Sequence, residues 1–533
     1  MNATPTSAAA PATAVTDPSV ARERRQTLAL FAVPLALLIV AGLLRLPDLA
    51  TRGTWDADQG HDMLVLRSFV RDGVVPLLGP PTSIGDVHHG ALYYFVLAPA
   101  AWLTGGDSPL AVVTLIALAG IAAVLVTWWL ARSIAGPVAG LVAGLAMAVS
   151  ASAIDESTFI WNPNLIALSS AIALAAAWRA WSTGRPRWWL VAAVGTALTM
   201  QFHVLGVTML PIVGGLLVAD ARRQATVADR RRIWRFGLAG LAIIVLAFTP
   251  LVVHELTTDF SELHAALDYI RAGGDPAALP PATRLLVIAA RTLSWPLTGL
   301  LTDRPAMSLV AVFVVVAIVA WRAFAATGRE RVAVVWLGVG LAWTAIALTF
   351  IAPSLATVVP GLPNDHYHAF ADPMVFTILG MGAAAVWRLR APVGPIVTAV
   401  AVGALLASNV AAWPPTVASD GGFPAAERAA SRILASAGSN DLTLRSLPDF
   451  KSTEAYAYPL VRAGAVIHGA PDATSTRSSL VVICDSLFED AIGAACGGPA
   501  ESIVAPADRY REPLDRFEAA PGRTVSVYRA VAP

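Results

Sequence analysis

Charge is scarce in this sequence. Asp, Glu, Lys and Arg make up only 14% of its 533 residues, against about a quarter in soluble domains, and that shortage excludes a chain that is soluble throughout. Neither sign predominates: 37 basic and 36 acidic residues leave a formal net charge of +1, so no basic surface points to nucleic acid as a partner. Lysine is almost missing, Lys451 being the only one, which a GC-rich coding bias explains without any call on guanidinium chemistry. Cysteine is limited to Cys484 and Cys496, too few for a disulfide framework or a thiolate metal cage.

Apolar residues are abundant. They reach 56% with a mean hydropathy of +0.64, and apolar runs of about 20 residues recur, the length that crosses a bilayer core as a helix. The chain is therefore read as a mainly α, polytopic membrane protein with the lipid bilayer as a partner. Residues 1–27 read as a disordered cytoplasmic tail, small, polar and Pro-containing at first and then basic with Arg22, Arg24 and Arg25. Too few large apolar groups are present there to offset the entropy of ordering. The following run, 28–47, resembles a signal peptide's basic and apolar regions, but its length and the lack of a small-residue cleavage site favour an uncleaved first helix.

Arginine falls in alternate loops: Arg132; Arg179, Arg185 and Arg187; Arg222, Arg223 and Arg230 to Arg235; Arg322, Arg329 and Arg331; Arg388 and Arg390. Short cytoplasmic loops carry such residues, so these loops are placed inside. The intervening loops hold acidic residues and His and are placed outside. The alternation predicts about eleven spans within a membrane domain over 28–412, near 28–47, 109–131, 137–153, 165–182, 188–203, 204–220, 234–254, 307–325, 332–352, 372–388 and 392–412. Apolar stretches 88–104 and 283–301 would break it and are read as re-entrant or interfacial. After Trp413 the composition becomes that of a soluble domain. Residues 413–533 are predicted to form a small extracytoplasmic α/β domain with a helix over AAERAASRILASA and strands over LTLRSL, SLVVICDS and TVSVYRAV. Cys484 and Cys496 there are compatible with a bridge in an oxidising compartment and equally with two buried thiols. The domain carries no nucleophile elbow, P-loop or HExxH motif, and a structural or acceptor-docking role is expected.

The long first outer loop, 48–108, draws most attention, because long ordered loops in compact proteins are usually functional. It opens with Asp56, Asp58 and Asp62 around Gln59 and His61. A helix predicted over Gln59 to Asp72 places Met63, Leu64, Leu66, Phe69 and Val70 on one side, with Arg67 and Arg71 on another stripe, as in a helix lying in the membrane interface. Its end reads HHGALYYFVLAPA, beginning at His88. The acidic start, the amphipathic helix ending at Gly73, the Pro-Gly turn and this second motif resemble the GT-C glycosyltransferases of the protein O-mannosyltransferase and aminoarabinose-transferase type. The resemblance is sharpest over residues 50–165. Asp58-Gln59 stands at that family's acidic pair, and His88-His89-Gly90-Ala91-Leu92-Tyr93-Tyr94 at its Pro-Leu-Tyr-Tyr-like motif; Gln59 and the two His depart from the usual residues.

Such a resemblance implies sugar transfer from a polyprenyl-phosphate donor to an extracytoplasmic acceptor, a protein, lipid or glycan. Chemistry asks for the same parts: a carboxylate to take the acceptor's proton, and cationic or hydrogen-bonding groups for the departing phosphate. Asp58 is the candidate base and His89, Arg67 and Arg71 the phosphate candidates, with Asp56, Gln59, His61, Asp62, His88, Tyr93 and Tyr94 around the substrates. Asp155 and Glu156 in the second outer loop are expected to converge on the site. Asp365, His366, Tyr367 and His368 in a late loop are expected to face the donor. A carboxylate with two His also has the composition to hold a divalent metal; with no third fixed ligand evident, hydrogen bonding is preferred, and no other cofactor is indicated. The competing class is a transporter or flippase of a lipid-linked or small polar substrate, which calls for polar residues near the midplane on broken helices. Here the ionisable residues collect at the outer face, which favours the enzyme.

Overall fold

A computed structural model describes residues 18–82, 87–274, 278–357, 365–449, 453–468, 479–507, 510 and 512–529. The first helix, α1 (Pro18–Arg45), already covers residues 18–27. That part of the segment read as a tail is thus helical: a Pro at the first position and the run ARERRQ behind it suit a helix start. Its last residue, Arg45, is fully buried and donates to the carbonyls of Ala148 at 2.8 Å and Met147 at 3.1 Å, tying the C-terminal end of α1 to the bundle.

The chain continues through α2 (Ala57–Arg71), α3 (Leu92–Trp102), α4 (Pro109–Ala135), α5 (Pro137–Val149), the short α6 (Ala151–Asp155), α7 (Ile166–Thr183), α8 (Trp188–Phe202), α9 (Met209–Arg222), α10 (Val227–Leu246) and α11 (Thr249–Thr257). Then follow α12 (Ser261–Arg271), α13 (Pro281–Thr298), α14 (Pro305–Ala325), α15 (Gly328–Ile351), α16 (Asp372–Trp387) and α17 (Val393–Val410). By length and composition, seven of the described helical segments are able to cross a membrane, or eight if α10 and α11, bent by 43° at their junction, count as one span. The other three expected spans coincide with shorter apolar helices over Phe31–Arg45, Pro137–Val149 and Trp188–Phe202. The stretches read as non-spanning are α3, of 11 residues, and α13; neither reaches the length and hydropathy of a span.

A C-terminal α/β unit follows: α18 (Gly422–Ala437), β1 (Asp441–Leu447), α19 (Glu454–Arg462), β2 (Val466–His468), β3 (Ser479–Asp485), the one-turn α20 (Glu489–Ile492), β4 (Asp515–Ala520) and β5 (Arg523–Tyr528). The sheet order is β2-β1-β3-β5-β4, with β1 parallel to β2 and β3, and β5 antiparallel to β3 and β4. The predicted helix and all three predicted strands are present. Cys484 and Cys496 are joined as a disulfide, which resolves the choice left open by spacing.

Helix α2 does not lie bare in the membrane interface. Its residues Met63 and Leu66 are fully buried within the main apolar core, packed between α3 and α19. The C-terminal unit is thus docked on the 48–108 loop. Trp55 Nε1 donates to Ala455 O at 2.8 Å, the Trp55 amide donates to Asp420 Oδ2 at 2.7 Å, and Tyr458 Oη donates to Gly106 O at 3.0 Å. Close approach is possible because position 60 is glycine: a Cβ there would sit 2.0 Å from the carbonyl oxygen of Glu454. Gly60→Ala should therefore unseat α19 from α2. Limited proteolysis in detergent checks this, with faster cleavage of the C-terminal unit expected and an unchanged digest counting against the docking.

Candidate active site

Helix ends and connecting segments at one end of the bundle enclose a cavity of about 820 Å³. One part of its lining is polar: Asp58, His61 and Asp62 from α2, His89, Asn162 and His203 from loops, and Glu454 from α19. Another part is apolar: Leu205, Ala266, Ile270, and Phe350 and Ile351 at the end of α15. Phe350 is 69% exposed, so the apolar wall continues onto the exposed surface of α15, a helix long and apolar enough to cross a membrane. Of the residues chosen from sequence, the cavity gathers Asp58, His61, Asp62, His89 and Tyr367.

The start of α2 explains how the carboxylates are aimed. Asp56 stands at the N-cap, where its amide donates to Gln59 Oε1 at 2.8 Å, and its carboxylate pairs with Arg523 of β5 at 3.1 Å. Gln59 is buried, and its Nε2 donates to Ile160 O at 2.8 Å. Asp56 and Gln59 thus fix the first turn and do not line the cavity. Asp58, His61 and Asp62 project from the same face, three and four residues apart. Asp62 is 1% exposed and accepts from Tyr93 Oη at 2.6 Å and Tyr94 Oη at 2.9 Å, which assigns the two tyrosines to holding a carboxylate. Burial raises that acid to about 7, although both phenols and His61 oppose the rise. His61 Nδ1 lies 3.0 Å from Glu454 Oε1. Burial alone would lower the imidazole; Glu454, Asp62 and Asp58 outweigh it and raise His61 above its ordinary value.

The phosphate candidates fare differently. Arg67 and Arg71 both form ion pairs with Asp107, and Arg71 Nε donates to Gly105 O at 2.7 Å. Neither lines the cavity; they brace α2 against the turn before α4. His88 is held by Glu262 of α12, which accepts from its amide and contacts Nδ1, both at 2.8 Å. His89 faces the cavity, with its Nδ1 accepting from the Val204 amide at 3.3 Å. Burial, with the neighbouring His88 adding to it, lowers its imidazole to about 3, so the ring is neutral with Nε2–H as its donor. It can hydrogen-bond a substrate oxygen but brings no positive charge.

Behind the aromatic wall formed by Trp161, Tyr367 and His203 lies a second polar group. Tyr367 stacks on His203 with centroids 4.6 Å apart, and His366 packs edge-on to Trp161 at 5.1 Å and Trp295 at 5.3 Å. His366 Nε2 is 3.5 Å from Asp155 Oδ2. Glu156 is buried and accepts from Trp295 Nε1 at 2.6 Å. Asp365 is gripped by Arg291 at 2.8 and 2.5 Å and by His368 Nε2 at 3.3 Å. Asp155, Glu156, Asp365, His366 and His368 therefore form a support layer, and among the described residues of the late loop Tyr367 alone lines the cavity. Among the described residues no group of three or more His, Cys, Asp or Glu is arranged to hold a metal ion; the candidates for one are paired with Arg291, Trp295 and each other.

Arg284 on α13 was not foreseen. It lines the cavity, is 8% exposed, and its Nε has no hydrogen-bond partner among the described residues. A buried guanidinium with an unsatisfied N–H is costly unless an acceptor such as an anion completes it. The sequence signal was an Arg inside a stretch otherwise apolar enough to be read as interfacial. Glu454 and Glu262 were also missed. Both are remote in sequence from the loop they complete, and only the folded chain brings them to it.

Architecture and site define a class: the chain has the fold of the GT-C membrane glycosyltransferases. Residues 88–254 match the family model described as Dolichyl-phosphate-mannose-protein mannosyltransferase. Among solved structures, the chain is similar to ArnT from Cupriavidus metallidurans in the apo state, with 14% identity over 95% of this chain and 98% of that one and a TM-score of 0.50. It is likewise similar to ArnT from the same organism bound to undecaprenyl phosphate, with 14% identity over 92% and 97% and a TM-score of 0.52. The archaeal oligosaccharyltransferase AglB from Archaeoglobus fulgidus, in complex with an inhibitory peptide and a dolichol-phosphate, matches at 12% identity over 91% and 72% with a TM-score of 0.51. No curated protein matches the sequence.

Proposed function

We propose that this protein is a membrane glycosyltransferase that moves a sugar from a polyprenyl-phosphate donor to an extracytoplasmic acceptor, with Asp58 as the base. The observation that carries this reading is the pairing, in one cavity, of a buried guanidinium without a hydrogen-bond partner at its Nε among the described residues, Arg284, with an apolar wall that runs onto the lipid-facing end of α15. An isoprenoid phosphate has that same pairing of properties. Its phosphate suits the planar fork of Arg284, and its chain suits Phe350 and Ile351. The relatives with a bound undecaprenyl phosphate and a dolichol-phosphate agree with a ligand of this chemistry.

In the transfer, the acceptor hydroxyl or amine attacks the sugar's anomeric carbon while the bond from that carbon to the phosphate oxygen breaks. The bonding pair leaves with the phosphate, whose charge Arg284 and the Nε2–H of His89 stabilise, and Asp58 takes the acceptor's proton. A transfer assay in detergent with a polyprenyl-phosphate sugar tests this; activity on soluble nucleotide sugars with none on the lipid-linked donor would overturn it.

The orientation follows from the arginine pattern. Impermeant thiol labelling of single cysteines introduced at exposed positions should modify the first outer loop near residue 54 in intact cells and leave residues near 225 unmodified until the membrane is opened. The native cysteines are consumed in their disulfide and give no background. The opposite pattern would place the cavity in the cytoplasm and remove the argument for a lipid-linked donor.

A further inference from the structure

The C-terminal unit does more than sit on the first outer loop. Glu454, the first residue of α19, lines the same cavity as Asp58, some 390 residues further along the chain. We infer that Glu454 is a positioning residue of the catalytic cavity: its carboxylate takes the Nδ1–H of His61 and so leaves Nε2 of that ring to exchange a proton beside Asp58. This inference rests on the reading of Asp58 as the base.

The geometry supplies the steps. The His61–Glu454 contact is 3.0 Å, and the two side chains are about equally accessible, 29% and 31%, so the pair borders the cavity and is not sealed in the core. Among the described residues Glu454 is the hydrogen-bond partner of His61, and it fixes the tautomer that carries hydrogen on Nδ1. His61 follows Asp58 by three residues on α2, on the same face. A base that has taken the acceptor's proton must release it before the next turnover. Asp58 passes it to His61 Nε2, the resulting imidazolium is balanced by the Glu454 carboxylate, and the proton then leaves from the open side of the cavity. The charged and titratable groups around His61 are Asp58 and Asp62 on its own helix, Tyr93 and Tyr94 of α3 through Asp62, and Glu454 of α19. The three carboxylates favour the imidazolium, consistent with the raised imidazole. Docking fixes the distance: the contact of Gly60 with the Glu454 backbone and the Trp55 to Ala455 hydrogen bond hold α19 to the turn of α2 that carries His61.

The test is the pH profile of sugar transfer by the full chain in detergent, together with titration of polyprenyl phosphate alone by intrinsic fluorescence. Glu454→Gln should lower kcat about 10- to 100-fold, the cost found when a carboxylate that orients a metal-bound imidazole is removed. It should leave the affinity for polyprenyl phosphate unchanged. Losing the carboxylate lowers the His61 pKa, so the acidic limb of the profile should move to lower pH. His61→Gln should remove the part of that limb that His61 sets, leaving only the requirement for an ionised Asp58, and the double variant should be no worse than His61→Gln, because both changes remove one relay. If Glu454→Gln folds poorly, His61→Gln reads the same limb from the other partner. A profile of wild-type shape in both single variants, or losses that add in the double variant, would reduce Glu454 to a docking residue. Near wild-type transfer by Asp58→Asn would instead refute the base assignment, a failure distinguishable from that of the relay.

Discussion

Asp58→Asn should lower the rate of sugar transfer by a factor of about 10² to 10⁴, the usual cost of removing a general base, at unchanged membrane expression. The amide keeps the size of the side chain and much of its hydrogen bonding while removing its basicity, so a merely structural aspartate would tolerate the change. Asp58 lines the cavity beside His61 and Asp62, where an acceptor's proton has somewhere to go. The neighbouring carboxylates differ from it in ways that set the comparison. Asp56 stands at the N-cap of α2 and pairs with Arg523; Asn serves as well at an N-cap, so Asp56→Asn loses only the ion pair and should cost at most about 1 kcal/mol of stability and little of the rate. Asp62 is not a neutral control, because it is buried under two phenol donors. Asp62→Asn keeps an acceptor for only one of them, and its effect should appear first in thermal stability. Initial rates at saturating donor, with melting curves of each variant, separate the three. Should Asp58→Asn retain near wild-type rates while Asp155→Asn abolishes transfer, the base lies in the second outer loop.

The contrast among those aspartates shows which parts of the site were legible in the sequence. Spacing alone puts Asp58, His61 and Asp62 on one helix face, and that face is the cavity wall. Amphipathicity also called the helix itself, within two residues at its start, but not what covers it. An apolar stripe reads the same whether lipid or α19 packs on it, and the partner comes from the far end of the chain. Arg67 and Arg71 failed for a related reason. Their stripe was right, but Asp107, in the turn between α3 and α4, takes both guanidiniums. Short-range periodicity cannot show a charge that folds back from 36 or 40 residues away. The late loop was placed in the correct neighbourhood, yet Arg291 and Trp295 of α13 bind its carboxylates and aromatics and leave Tyr367 to face the substrate. The strands and helix after Trp413 were readable because a soluble α/β unit alternates and caps in the ordinary way. Its contribution of Glu454 to the cavity was not, since nothing local in KSTEAYAY marks a site.

Arg284→Met should abolish binding of polyprenyl phosphate and at the same time make the empty protein more stable. These two effects have one cause. The guanidinium is 8% exposed, and its Nε finds no acceptor among the described residues, so the unliganded fold leaves a buried donor of this side chain unsatisfied. Replacement by an apolar side chain of similar length removes that cost, just as apolar substitution of buried charges often leaves proteins equally or more stable. With phosphate bound, the balance reverses. Each charge-assisted hydrogen bond is worth about 1.5 to 3 kcal/mol, or about 10- to 150-fold in affinity per bond. Two such bonds from one planar fork would put the variant's affinity beyond detection at ordinary ligand concentrations. Arg284→Lys keeps the charge without the fork and should fall between the two. Melting midpoints in detergent, with and without polyprenyl phosphate, read both effects together. Wild type should rise with ligand, since anything that binds the folded state alone stabilises it. Arg284→Met should start higher and not move. A variant that starts lower and still rises with ligand would show that Arg284 serves the fold, and the donor's phosphate would then have to be held elsewhere on the cavity wall.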